Sequence, residues 1–285
     1  MTDAEPTDST PWWGPFSLET GAGGEWRVGP STLWIVRASR DWRVVHRPST
    51  APAAADALAE RSGATVPMAD DALQAVLDDA SDALTTHRFS VRHTQAALTL
   101  RPALADRPVV ARPEHPLSVL PDEAVTLYVS TPLWMQVERA GSGRRLTELP
   151  SLRMSDTWFG PSTQTGTLCY ATRTAGRLHL DRLPRRRHRA VTPLKVRNRA
   201  DEPLALERVQ LPTPHLSLYV TSDDALWSDA VTMTHRTTGE GAQVQIQEGP
   251  PPDIAAAERL QAPREQSRQG LITSTFSAVG ALFGA

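Results

Sequence analysis

A single cysteine in 285 residues excludes an internal disulfide and fits a reducing cytoplasm. The chain lacks an apolar run of transmembrane length, and its opening, MTDAEPTDST, is acidic and polar where a secretory signal is basic and then apolar. Also missing are a serine nucleophile elbow, a glycine-rich phosphate loop and any zinc-type spacing of cysteine and histidine. The eight histidines, at 46, 87, 93, 115, 179, 188, 215 and 235, are scattered, so no metal site and no cofactor is expected. A formal charge of −2 supplies no global attraction to nucleic acid, which leaves only local patches to be weighed.

What is present points to strands. Eight tryptophans among few aromatics, together with 24 prolines, favour short strands and turns over long helices. Residues 1–11 carry two prolines and no apolar anchor, the mark of a disordered start. From Glu25 the text reads EWRVGPSTLWIVRASRDWRVVHRPS, an alternation broken at Gly29-Pro30 and near Ser39-Arg40, which predicts a three-stranded antiparallel meander. Trp26, Trp34 and Trp42 recur every eight residues, and the simplest expectation puts all three on one face. Residues 51–86 turn rich in alanine and aspartate, with Leu73, Val76, Leu77 and Leu84 spaced for a short helix or lying in a surface excursion.

Strand patterns resume at 88–93 and 96–101, continue on either side of Pro132 within 124–139, and return at 190–197, 204–211, 216–221, 230–235 and 242–246. Leu127-Tyr128-Val129-Ser130, then Leu133-Trp134, is echoed by Leu218-Tyr219-Val220-Thr221, then Leu226-Trp227. Two related units or chance would each produce that echo. The expected fold class is all-β, an antiparallel β-sandwich of one or two units with a short C-terminal amphipathic helix. Its divisions are a β-rich unit over 12–140, a second unit or a continuation of the first over 141–248, a linker over 249–269, and the helix over 270–285.

Three features bear on function. Residues 173–199 hold ten lysines or arginines against one acid, Asp181, and their centre is PRRRHR. Arginine forks match phosphate oxygens of nucleic acid or anionic lipid in pairs, so Arg182, Arg185, Arg186, Arg187 and Arg189 are the candidate anion or partner contacts of an arginine-rich hairpin. The alternative is a solvated hairpin facing the acidic remainder of the chain. In the uncharged tail GLITSTFSAVGALFGA, Ile272, Phe276, Val279 and Phe283 fall on one helical stripe, which would pack on its own domain or dock on a partner or membrane. Lastly, the cluster SDTWFG and Cys169 offer hydroxyl, carboxylate and thiol. Asp156 and Ser155 fit a tight turn anchored by Trp158 and Phe159, and Cys169 fits a buried strand position opposite in phase to Leu168 and Tyr170.

The stretches LRMSDTWFGPSTQTGTLCYATRT at 152–174 and AVTPLKVRNRADEPLALERVQLPTPHLSLY at 190–219, with weaker support from 105–133, resemble an uncharacterised prokaryotic family known as domain of unknown function 432. That resemblance implies a β-rich protein without an assigned activity. The functional expectation is a noncatalytic interaction or scaffold protein in the cytoplasm, peripheral to the inner membrane if the tail docks there, with another protein or a membrane surface as partner. The alternatives are an enzyme assembled around Asp156, Cys169 and a histidine brought near by folding, and nucleic-acid binding through 182–199.

Overall fold

The meander predicted from 25–49 forms as strands Gly23–Val28, Ser31–Arg37 and Asp41–Arg47. This computed structural model describes residues 11–48, 63–78, 84–160, 164, 166–236, 242–254, 256–266 and 271–273. Gly63–Thr65 adds to one side of the meander and Thr85–Ser90 to the other, which makes a five-stranded sheet. The first turn is Gly29-Pro30, with Val28 opposite Ser31. Gly29 has φ of 58°, and a Cβ there would lie 2.5 Å from the His188 ring, so both the backbone and the close approach require glycine.

An even-length turn decides which way each tryptophan points. Trp26 lies opposite Leu33, so Trp34 lies opposite Glu25 and is out of phase with Trp26. Trp34 is also opposite Val45, whereas Trp42 is opposite Arg37. The expected single tryptophan face is therefore divided: Trp26 and Trp42 enter one core and Trp34 another.

A second sheet runs Gly14–Ser17, Ala97–Ala103, Trp134–Arg139 and Arg145–Pro150 in that order. Its Leu98, Leu100, Met135 and Val137 share a core with Trp26, Ile35, Trp42 and Val44, and the two sheets make a sandwich. At about 1.5–3 kcal/mol for each large apolar side chain removed from water, these positions dominate its stability. On the outer face, Trp34, Val36 and Val45 are covered by the helix Asp70–Asp78 through Leu73, with Met68 beside it. These elements belong to the first of two compact units, the described residues of Met1–Ala103, Leu133–Arg153 and Arg186–His188.

The second unit comprises the described residues of Leu104–Pro132, Met154–Arg185 and Arg189–Ala285. Arg189–Asn198 is the central strand of an eight-stranded sheet. Ala124–Pro132 pairs antiparallel along one of its edges. The other edge takes two short parallel partners in succession, Leu226–Ser228 and Ala230–His235, separated by Asp229. Beyond the first lie Leu218–Thr221 and Ala257–Gln261; beyond the second lie Gln243–Gln247 and Leu271–Thr273. The sheet thus forks at Asp229. Its carboxylate is buried and accepts hydrogen bonds from Ser217 N at 2.5 Å, the Tyr219 hydroxyl at 2.8 Å and Gly249 N at 2.9 Å, so it pins both branches.

Another sheet of this unit orders Ser155–Phe159, Thr167–Gly176, Val109–Pro113 and Val209–Leu211, with Leu117–Val119 and Leu204–Leu206 as a separate pair. The all-β expectation holds, although three of the pairings are parallel. The stretch expected as a linker over 249–269 includes the strand Ala257–Gln261. Leu271–Thr273 is a strand with Ile272 opposite Val244, so the helix expected from residue 270 does not begin there. Phe276, Val279 and Phe283 lie outside the described residues, as do residues 1–10. Of the echoed segments, 127–130, 218–221 and Leu226-Trp227 fall in the eight-stranded sheet, whereas Trp134 opens a strand of the four-stranded sheet, so the echo does not mark equivalent places in two repeats.

Candidate functional site

The SDTWF segment is a strand, not the expected turn. Ser155–Phe159 pairs with Thr167–Gly176, placing Asp156 opposite Tyr170 and Thr157 opposite Cys169. Strand alternation then sends Asp156 and Cys169 to opposite faces. Trp158 is partly exposed beside Leu168, while Phe159 is fully buried under the Arg208 guanidinium. Asp156 is exposed and meets Arg107 at 3.2 Å. Arg107 in turn sits over the Tyr170 ring, whose hydroxyl donates to Asp106 at 3.0 Å. Burial, followed by the Asp106 contact, pushes the Tyr170 phenol up to about 12. Cys169 is fully buried, and its sulfur accepts from Gln210 Nε2 at 3.1 Å. Burial pushes its thiol up to about 11, against a smaller opposing effect of Gln210.

The arginine-rich segment is a crossover loop and not a hairpin, because Thr167–Gly176 and Arg189–Asn198 lie in different sheets. Arg182 closes the 3-10 turn Leu180–Arg182, is exposed, and has no ion-pair partner among the described residues. Its carbonyl oxygen accepts from the Arg177 guanidinium. Arg185 is exposed and pairs with Asp223 at 2.8 Å. Arg186 and Arg187 are half-buried and belong to the first unit, where the Arg187 carbonyl accepts from the Trp12 indole at 2.8 Å. Arg189 turns inward: it is buried, and its guanidinium donates to Ser130 Oγ at 2.9 Å and Ser130 O at 2.8 Å. Of the five arginines, only Arg182 and Arg185 present exposed guanidiniums on the same unit.

A cleft of about 780 Å³ opens over the fork at Asp229. Tyr219 and Arg259, directly paired across strands, line one side, and Ile246 and Glu248 follow the other branch. His215 stands at its rim, 3.5 Å from the Glu265 carboxylate. Among the described residues no group of three His, Cys, Asp or Glu side chains could hold a metal ion, and no helix is long and apolar enough to cross a membrane.

A family model described as protein of unknown function (DUF432) matches residues 12–280. The chain belongs to the DUF432 family. No curated protein and no solved structure matches it. The DUF432 match takes in far more of the chain than the motif-bearing stretches of the second unit and extends over the whole sandwich of the first. Within this DUF432 protein, sequence reasoning found Cys169 and its buried setting but missed the cleft. Tyr219 and Arg259 come from two strands, Asp229 and Glu248 from the ends of others, and the four share no spacing in the sequence.

Proposed function

We propose that this DUF432 protein is a noncatalytic interaction protein whose second unit contacts an anionic partner through Arg182 and Arg185. The observation that carries this reading is the availability of those two guanidiniums. Arg182 has no acidic partner among the described residues, and the Arg185–Asp223 pair is more than half exposed on both sides, at 58% and 55%. Exposed pairs of this kind contribute about 0–1 kcal/mol, so an incoming carboxylate or phosphate displaces Asp223 at small cost. The competing enzyme reading is weakened at its nucleophile, since a buried thiol near 11 holds almost no thiolate at neutral pH. Nucleic-acid binding through 182–199 also loses support, because Arg189 faces inward onto Ser130.

The test is co-sedimentation with phosphatidylserine vesicles alongside retention on immobilised polyglutamate, comparing the full chain with the Arg182→Ala/Arg185→Ala variant at two salt concentrations. Association that weakens in the variant and at higher salt is expected, and the two matrices separate a lipid phosphate from a protein carboxylate. Equal association of both proteins on both matrices refutes the proposal.

A further inference from the structure

The cleft over Asp229 is independent of the arginine loop, and its chemistry defines a ligand. Where adjacent branches of a sheet diverge, the gap between them is a natural crevice, and about 780 Å³ lies within the roughly 300–1,000 Å³ of small-molecule sites. The fork is held rigid by one buried carboxylate. Ser217 N, Gly249 N and the Tyr219 hydroxyl all donate to Asp229, so the backbone on both branches and the tyrosine ring are fixed before anything binds.

These bonds also determine what remains for a ligand. Both Asp229 oxygens are already engaged, so Asp229 is not the group that receives an incoming cation. The Tyr219 hydroxyl is engaged as well: it donates to Asp229, and its oxygen is met by the Ser217 side chain and the Gly249 N–H. Two charges are left in the cleft, Glu248 on one branch and Arg259 on the other. Neither has a hydrogen-bond or ion-pair partner among the described residues. A simple anion would satisfy Arg259 and be repelled by Glu248, while a simple cation would meet the reverse. A zwitterion satisfies both. Between them Ile246, Ala257 and Pro263 supply an apolar lining for small aliphatic groups.

We infer that this cleft, too large for a single amino acid, binds a short peptide with free termini, its carboxylate on Arg259 and its ammonium on Glu248. The probe is trialanine, titrated calorimetrically into the full chain beside its C-amidated and N-acetylated forms. Free trialanine binds, and blocking either terminus weakens binding about tenfold, the effect of losing one hydrogen bond to a charged group. In Arg259→Gln the penalty for amidation disappears while that for acetylation stays; in Glu248→Gln the pattern reverses. Both side chains are exposed, and the three-peptide comparison on the unmodified chain stands without any variant. Equal binding of the three peptides, absence of binding by all of them at millimolar concentration, or terminal penalties that survive in the matching variant would each overturn the assignment.

Discussion

Acidification should destabilise the first unit through one side chain, His46. It lies on Asp41–Arg47 opposite Leu33, is 3% exposed, and its Nε2 has no hydrogen-bond partner. Burial, reinforced by the nearby His87, brings its pKa from 6.5 down to about 4. The unfolded chain therefore takes up a proton near pH 6.5, and the folded chain does not until about 4. Stability contributed by the neutral ring is fully present above pH 6.5, declines as pH falls through that window, and is wholly lost below about 4. A gap of this size, at 1.36 kcal/mol per pH unit, corresponds to roughly 3 kcal/mol. Against a typical total of about 5–15 kcal/mol, such a loss is large. The carboxylate of Asp41, held low chiefly by its hydrogen bond to Arg88, acts below its ordinary 3.8 and leaves the window clear. Urea unfolding followed by tryptophan fluorescence between pH 7 and 4 measures the effect, since Trp26 and Trp42 sit in the same core. The His46→Asn variant should have a flatter stability profile than the parent by about 3 kcal/mol across that range. Parallel profiles for the two proteins would refute the account of His46 as a buried neutral base.

Other perturbations follow from the same packing. Cys169 should resist a thiol reagent such as DTNB in the native state at pH 8 and react stoichiometrically once the chain is unfolded in guanidinium; rapid native labelling would contradict its burial. Gly29→Ala should lower stability by more than about 1 kcal/mol, because it combines a positive φ with a Cβ driven into the His188 ring, and an unchanged melting temperature would count against that contact. Asp229→Ala should cost about 3 kcal/mol or more by stranding three donors at the fork. Urea denaturation reads this directly, and a loss under 1 kcal/mol would mean that water replaces the carboxylate.

Period-two alternation made most strands legible, including the pairing of residues 124–139 on either side of Pro132 and the inward position of Cys169. It did not reveal which strand faces agree. Trp26, Trp34 and Trp42 are equally spaced, yet the two-residue turn at Gly29-Pro30 reverses phase, so even spacing along the chain became alternation in space. The arginine run was legible as charge but not as orientation. Arg189 opens a central strand and satisfies its fork on Ser130, a partner 59 residues away. Asp156 seemed suited to a turn because its short side chain competes for backbone donors, but cross-strand pairing with Tyr170 prevailed. The fork at Asp229 was beyond reach, since it depends on two branches meeting from 217 and 249, and single-residue polarity carries no record of a distant donor.

The chain passes between its two units five times, at 103/104, 132/133, 153/154, 185/186 and 188/189. During synthesis from the N-terminus the five-stranded sheet is available early, but the sheet that closes its core requires Trp134–Arg139 and Arg145–Pro150, and the ring that fills the space above Gly29 arrives only with His188. A ribosome must therefore deliver about two thirds of the 285 residues before the first sandwich can be completed. No single scission yields either unit intact, so limited proteolysis or gene truncation between 104 and 188 would release fragments of both units.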